Sequence, residues 1–376
     1  MSELINTAPR GGHFQRQLLT TVSALALLTM IGAQHDAKAA DSEASRPTVW
    51  IELGGQLERV NGQGQAFAPP FASAYPDSAA LADGSLTGLQ RPPRFAKGFE
   101  GEVTFVPRGS DWVLSASVLY GRANSNRRVH QQTPGKPIVS GFLKGNQYYD
   151  PAPNQAFSDV RVKDRESHVI VDFKVGKDVG LGAFGTGGES TFSAGVRFAQ
   201  FATAKDVELK LRPEMNQLPG GFFNSMSTFY GSAEITRSFQ AIGPSVSWEG
   251  SAAIAGRSTD GVTFDWGIAA AVLFGRQKAD VTHNTFASHF NQQNILYPVS
   301  QLYQTSPAPS ARHRSVVVPN LGGFAGVSFR RASAKISLGY RADFFFGAMD
   351  TGIDSRKREA MSFHGPFATI SIGLGG

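Results

Sequence analysis

Polar and apolar residues alternate along most of this chain, most cleanly near its end. From Lys335 to Phe344, Ile336, Leu338, Tyr340, Ala342 and Phe344 fall on one side, while Lys335, Ser337, Gly339, Arg341 and Asp343 fall on the other. A period of two belongs to a β-strand with one oily and one wet face. A soluble sandwich would show it too, so the choice between water and lipid rests on how often the pattern recurs and what separates the copies.

It recurs about ten times. Thr48 to Arg59 sets Val49, Ile51, Leu53 and Leu57 against Trp50, Glu52, Gln56 and Glu58. The stretch from Arg94 to Val106 sets Phe99, Val103 and Phe105 against Glu100, Glu102 and Thr104, and Trp112 to Tyr120 follows after a Pro-Arg-Gly-Ser turn. Further copies run from Lys163 to Gly176, Thr191 to Gln200, Phe239 to Gly250, Phe264 to Phe274, Val317 to Phe329, Lys335 to Phe344 and Phe363 to Leu374. Long polar or Gly/Pro-rich segments, near 60–93, 122–162, 203–236, 276–314 and 347–358, follow every odd-numbered strand; short connections follow the even ones. That alternation predicts an all-β fold, a transmembrane antiparallel up-and-down β-barrel of about ten strands, with short periplasmic turns and long external loops. An extra hairpin in a long segment would raise the count to 12, and loss of the weakest pair would lower it to 8. Trp50, Trp112, Tyr120, Trp248, Phe264 and Tyr340 near strand ends suit interfacial aromatic girdles.

The start of the chain changes the picture of where this happens. Arg10, His13 and Arg16 precede an apolar run from Leu18 to Ile31, and Ala37-Lys38-Ala39 follows. This is the layout of a secretory signal peptide over residues 1–39, cut after Ala39, leaving 40–376 as one barrel domain. No later apolar run approaches the length of a membrane helix, so a spanning protein must cross with strands. There is no cysteine, which excludes disulfide staples and thiolate metal sites. The formal net charge of +6 is too mild for a nucleic-acid partner.

Chemistry is sparse. Gly180-Leu181-Gly182-Ala183-Phe184-Gly185 has the spacing of a dinucleotide loop, yet a strand follows where a helix N-terminus is required, so a flexible turn is expected. His130, His283, His289 and His313 scatter through the long segments without a ligand spacing. Neither a cofactor, a metal nor catalysis is expected; an acid and histidine protease site at the rim is a minor alternative. The wet faces collect Glu52, Glu100, Glu102, Asp172, Asp265 and Asp343 with Lys174, Arg197, Lys335 and Arg341 as candidate lumen charges. They serve either as a charged constriction of a pore or as an ion-pair network filling a narrow barrel.

Asp172 to Gly182, Gly195 to Phe201, Gly339 to Ala342 and Phe363 to Phe367 resemble blocks of the Legionella-type pore-forming outer-membrane protein family and its alphaproteobacterial relatives. The resemblance implies an outer-membrane barrel acting as a porin-like passive pore for small solutes, with no catalytic residues to carry over. The alternative is a closed barrel displaying its loops for structural, lipopolysaccharide-binding or adhesive roles. Expected partners are outer-membrane lipid and lipopolysaccharide, the latter met by Arg127, Arg128, Lys136, Lys144, Arg161, Lys278, Arg312 and Arg314, and the barrel-assembly machinery. A homo-oligomer would use the flat apolar strand from Phe264 to Phe274. The chain ends Ile372-Gly373-Leu374-Gly375-Gly376, without the terminal aromatic usual in such barrels.

Overall fold

In a computed structural model, residues 49–62, 95–108, 110–132, 138–140, 148–150, 157–179, 188–212, 216–217, 224–257, 260–291, 299–305, 309–331, 333–353 and 356–374 are described. The segment 1–39 expected to be a signal peptide, the glycine-rich Gly180 to Gly185 motif and Lys136 and Lys144 lie outside them.

Ten strands form the barrel: β1 (Val49–Asn61), β2 (Ala96–Phe105), β3 (Trp112–Gln132), β4 (Phe157–Asp178), β5 (Gly188–Arg212), β6 (Asn224–Arg257), β7 (Asp260–Asn291), β8 (Ser310–Arg331), β9 (Ala334–Asp350) and β10 (Arg358–Leu374). Each pairs antiparallel with its neighbours in sequence, and β10 returns to β1 from Val49↔Leu374 to Asn61↔Ser362, so the sheet has no free edge among these ten. Short strands at Asn216–Gln217 and Val299–Thr305 extend it, and Ile138–Ser140 pairs with Tyr148–Asp150 as a separate ribbon.

Closure with a stagger sets the barrel's width. Following register partners from Val49 through Phe105, Leu114, Val175, Ala194, Val246, Ala270, Leu321, Phe344 and Ser362 returns to β1 at Asn61, 12 residues further along. Ten strands with that stagger must tilt by about 40° and enclose a space only a little wider than side chains fill. Apolar side chains cover the outside: Leu53, Phe99, Phe173, Ile242, Ile268, Phe274, Val327, Leu338 and Ile370 are all well exposed. Trp248 and Trp266 pack edge to face in this outer layer, 5.0 Å between centroids.

Three expectations change. The segments 122–162, 203–236 and 276–314 are largely strand, not loop: β3 runs on to Gln132, β5 to Arg212 and β7 to Asn291. β6 has 34 residues where a bilayer needs about ten. Beyond the belt its outward residues turn polar (Ser232, Glu234, Thr236, Ser238) while the inward ones include buried Ala233, Ile235 and Phe239, so the apolar face is the inner one and the hydrogen-bond ladder continues. His130 and His283 consequently sit on strands, His283 buried. Trp50 is not part of the outer girdle. It shares the inward face with Glu52 and lies under the guanidinium of Arg330, 5.7 Å from its ring centroid.

Candidate functional site

The inward faces divide the lumen into three levels. At the short-turn end is a cavity of about 350 Å³. All ten lumen charges read from the sequence line it: Glu52, Glu100, Glu102, Asp172, Lys174, Arg197, Asp265, Lys335, Arg341 and Asp343. Glu249 and Arg330, not singled out in the sequence, complete the set, and Glu249 takes the Lys174 ammonium at 2.7 Å. Arg197 donates two hydrogen bonds to Asp172 (2.7 and 2.8 Å), another to Asn320 Oδ1, and lies 3.4 Å from Asp343. Lys335 meets Asp265, which also accepts from the hydroxyls of Ser251, Thr263 and Ser328. Arg341 meets Glu100 and lies over the rings of Phe324 and Phe367. Lys174, Arg197, Lys335 and Arg341 are thus each held by a carboxylate from another strand, as burial of charge requires. Seven carboxylates line the cavity with five cations.

Above this level the lumen is packed with buried apolar side chains. Phe201, Phe239 and Phe345 have 0% of their surface exposed and Phe363 1%. Phe201 is the hub, with centroids 5.2 Å from Phe239, 4.7 Å from Phe345 and 5.1 Å from Phe363. Val60, Ala96, Leu119, Ile170, Leu273, Val318 and Met361 complete the layer, so all ten strands contribute to it. Rings at these distances leave no water path between them.

At the edge of the layer is a group the sequence did not announce. His168 stacks on Phe363 at 3.9 Å, with Glu166 Oε1 2.9 Å from its Nδ1 and Glu58 Oε2 3.2 Å from its Nε2. All three side chains are buried. Room comes from glycines opposite: a Cβ on Gly98 would meet Glu58 Oε1 at 2.5 Å, and one on Gly121 would meet His168 Cε1 at 2.2 Å. The signal in the sequence was a Gly on each of two neighbouring strands facing a charged residue, legible only once register is known.

The third level is the turn between β9 and β10, folded into the mouth. Arg312 donates to Asp350 (2.9 Å) and to the carbonyls of Gly352 and Ile353 (both 2.7 Å). Arg237 donates to the Thr351 carbonyl (2.9 Å), and Asp350 Oδ1 accepts the N–H groups of Gly352 and Lys357. Ile353 packs on Val160, Val207, Leu209, Ala233, Ile235 and Val281. Strand β9 reaches the mouth through a bulge between Phe345 and Met349, where Gly347 takes φ +72°, a left-handed conformation that glycine adopts without strain.

Several cations expected to meet lipopolysaccharide are engaged elsewhere. Arg127 shares the inward face of β3 with Leu119 and Ala123, and Arg312 is the inward clamp just described. Arg128 is chelated by Asp159 (2.9 and 2.7 Å), and Lys278 pairs with Asp280 at 2.6 Å. Arg161 is exposed opposite Arg128 in register.

A closed antiparallel ring, an apolar outer belt and polar or plugged contents define a transmembrane β-barrel. Neither a family model nor a curated protein matches the chain. Among solved structures, the transport unit of the autotransporter AIDA-I from Escherichia coli is 7% identical over 94% of this chain and 98% of that one, with a TM-score of 0.25. A monoaromatic hydrocarbon channel, a TodX mutant, is 10% identical over 88% of this chain and 91% of its own, with a TM-score of 0.21. The Pseudomonas putida toluene transporter TodX is 11% identical over 87% and 90%, with a TM-score of 0.19. These overlaps are loose, and the ten-stranded ring rests on the strand register given above.

Proposed function

We propose that this protein is an exported outer-membrane β-barrel that conducts nothing in its resting state and works as a sealed mount. The long-loop end, with strands running past the bilayer, faces outward for structural or adhesive contacts. The observation that carries this is the aromatic layer of Phe201, Phe239, Phe345 and Phe363, supplied and surrounded by all ten strands. Below it, the ion pairs act as filling that satisfies buried charge rather than as a filter.

The porin-like reading draws on the resemblance to Legionella-type pore-forming proteins and on the charged compartment, whose excess of carboxylates would favour cations. For it to hold, the layer would have to part. Single-channel recording of the refolded protein in a planar bilayer decides between the two. The expected record is silent. Steady steps that grow with salt concentration and change on Arg197→Met would overturn the sealed mount and establish the pore.

A further inference from the structure

The outer wall carries a feature that neither the lumen nor the display role uses. On three neighbouring strands, a cation stands two residues above an exposed apolar residue of the same outward face: Arg59 over Leu57 on β1, Lys97 over Phe99 on β2, and Arg122 over Tyr120 on β3. Lys97 is the register partner of both Leu57 and Arg122, so Lys97 and Arg122 lie side by side on adjacent strands about 5 Å apart at the backbone, and Arg59, two residues beyond Leu57, stands diagonally above Lys97. Below them the apolar strip continues through Leu53, Val103 and Leu114.

Charge on this wall has one sign. The outward faces of β1, β2 and β3 carry no Asp or Glu at any described position. The neighbouring carboxylate, Asp159 on β4, is occupied by Arg128 higher up the wall. Arg59, Lys97 and Arg122 are all exposed and have no ion pair or side-chain hydrogen bond among the described residues. Three unpaired cations at the top edge of a lipid-facing belt, with no compensating acid, are held at a cost in mutual repulsion unless an anion joins them. Elsewhere on the outer wall, Lys278 has Asp280 and Arg128 has Asp159.

We propose that this face of β1 to β3 is a binding site for a phosphorylated glycolipid of the outer leaflet. Its headgroup phosphates would be held by Arg59, Lys97 and Arg122, and its acyl chains would lie along Leu57, Phe99, Tyr120 and the strip beneath. Guanidinium groups match phosphate oxygens in a two-pronged geometry, and the ammonium of Lys97 adds a point charge between them. The apolar strip continuous with the cations is what distinguishes a lipid from a soluble phosphate, which would gain nothing from it. The site rests on the outer-membrane reading, because only a leaflet at the long-loop end puts lipid phosphates at this level.

The test is native mass spectrometry of the full protein in detergent micelles titrated with bis-phosphorylated lipid A, with fully dephosphorylated lipid A as the second ligand. The wild type is expected to retain the phosphorylated lipid and to hold the dephosphorylated one far more weakly. A triple variant (Arg59→Ser, Lys97→Ser, Arg122→Ser) is expected to lose about a hundredfold in affinity, and each single variant roughly fivefold, at about 1 kcal/mol per cation near a lipid surface. A control pair, Arg276→Ser with Lys278→Ser on the opposite wall, is expected to bind as the wild type does. Undiminished lipid A binding by the triple variant, equal binding of both lipids, or an equal loss in the control would overturn the site. If the triple variant fails to fold, the single variants give the same decision. Membrane fractionation of producing cells separates the two claims: a chain absent from the outer membrane sinks the location, whereas lost discrimination between the lipids sinks the site alone.

Discussion

Two levels of the same lumen, a few residues apart, are filled by opposite means. The short-turn half is lined by seven carboxylates and five cations around a cavity of about 350 Å³. The layer above it is packed by four phenylalanines with at most 1% exposure. Both occupy the inward faces of the same ten strands. Paired charges leave room for water because each ion needs partners at fixed angles, and the gaps between pairs cannot be filled by carbon. Aromatic rings have no such requirement and interlock. The boundary between the two therefore decides whether a narrow barrel is open or shut, whatever its strand count.

The strongest way to break the comparison is to remove the rings. Phe201 touches the other three, so Phe201→Ala should destabilise the barrel by about 3–5 kcal/mol, read from urea titrations in lipid vesicles. Phe201→Ala combined with Phe345→Ala should also join the lower cavity to the mouth and give single-channel steps where the wild type is silent. A folded double variant that stays silent would show that the turn held by Arg312 and Arg237 seals the barrel unaided.

Next in size is loss of one partner from the ion network. Arg197→Met leaves Asp172 and Asp343 facing each other without a cation, a loss of about 3 kcal/mol. Adding Asp172→Asn and Asp343→Asn should recover most of it in the same titration. No recovery would mean that Arg197 acts through packing rather than charge. At the border of the levels, Gly121→Ala places a methyl against His168 and Glu58, and overpacking of that kind costs about 1–3 kcal/mol. A neutral result, or a relaxed pair in the variant's structure, would show that this edge of the layer yields. The smallest effect belongs outside the lumen: Arg128→Ala breaks a well-formed but exposed pair with Asp159 and should leave the urea midpoint unmoved.

The strands and the identity of the lumen charges were legible in the sequence to an unusual degree. The reason is that a period of two sorts residues into two faces, and the apolar outer face reveals which is which. All ten predicted lumen charges do line one cavity. Glu249 escaped because it stands at the polar end of its strand, where alternation blurs. The expected loops escaped for a related cause: outside the bilayer the outward face of a strand turns polar and the apolar residues, such as Val207, Leu209, Ile235 and Val281, face inward, so β5, β6 and β7 lose the lipid-facing pattern for much of their length. The histidine group was out of reach altogether. Glu58, Glu166 and His168 come from β1 and β4, which do not pair, and they meet across the lumen.

By itself, then, the sequence determined the strand number, the alternation of long and short connections and the side to which each residue turns, because these depend only on neighbours along the chain. The tertiary structure alone decided the level at which each residue stands. Level depends on the 12-residue stagger accumulated around the ring, which brings Arg197 to Asn320 and Phe201 to Phe345 although more than a hundred residues separate them. Sealing depends on level, since a lumen is shut only where large apolar side chains from many strands reach the same height. The arrangement of Arg59, Lys97 and Arg122 as one cluster at the edge of the belt has the same origin: separate points in the chain become one surface only when the strands pair.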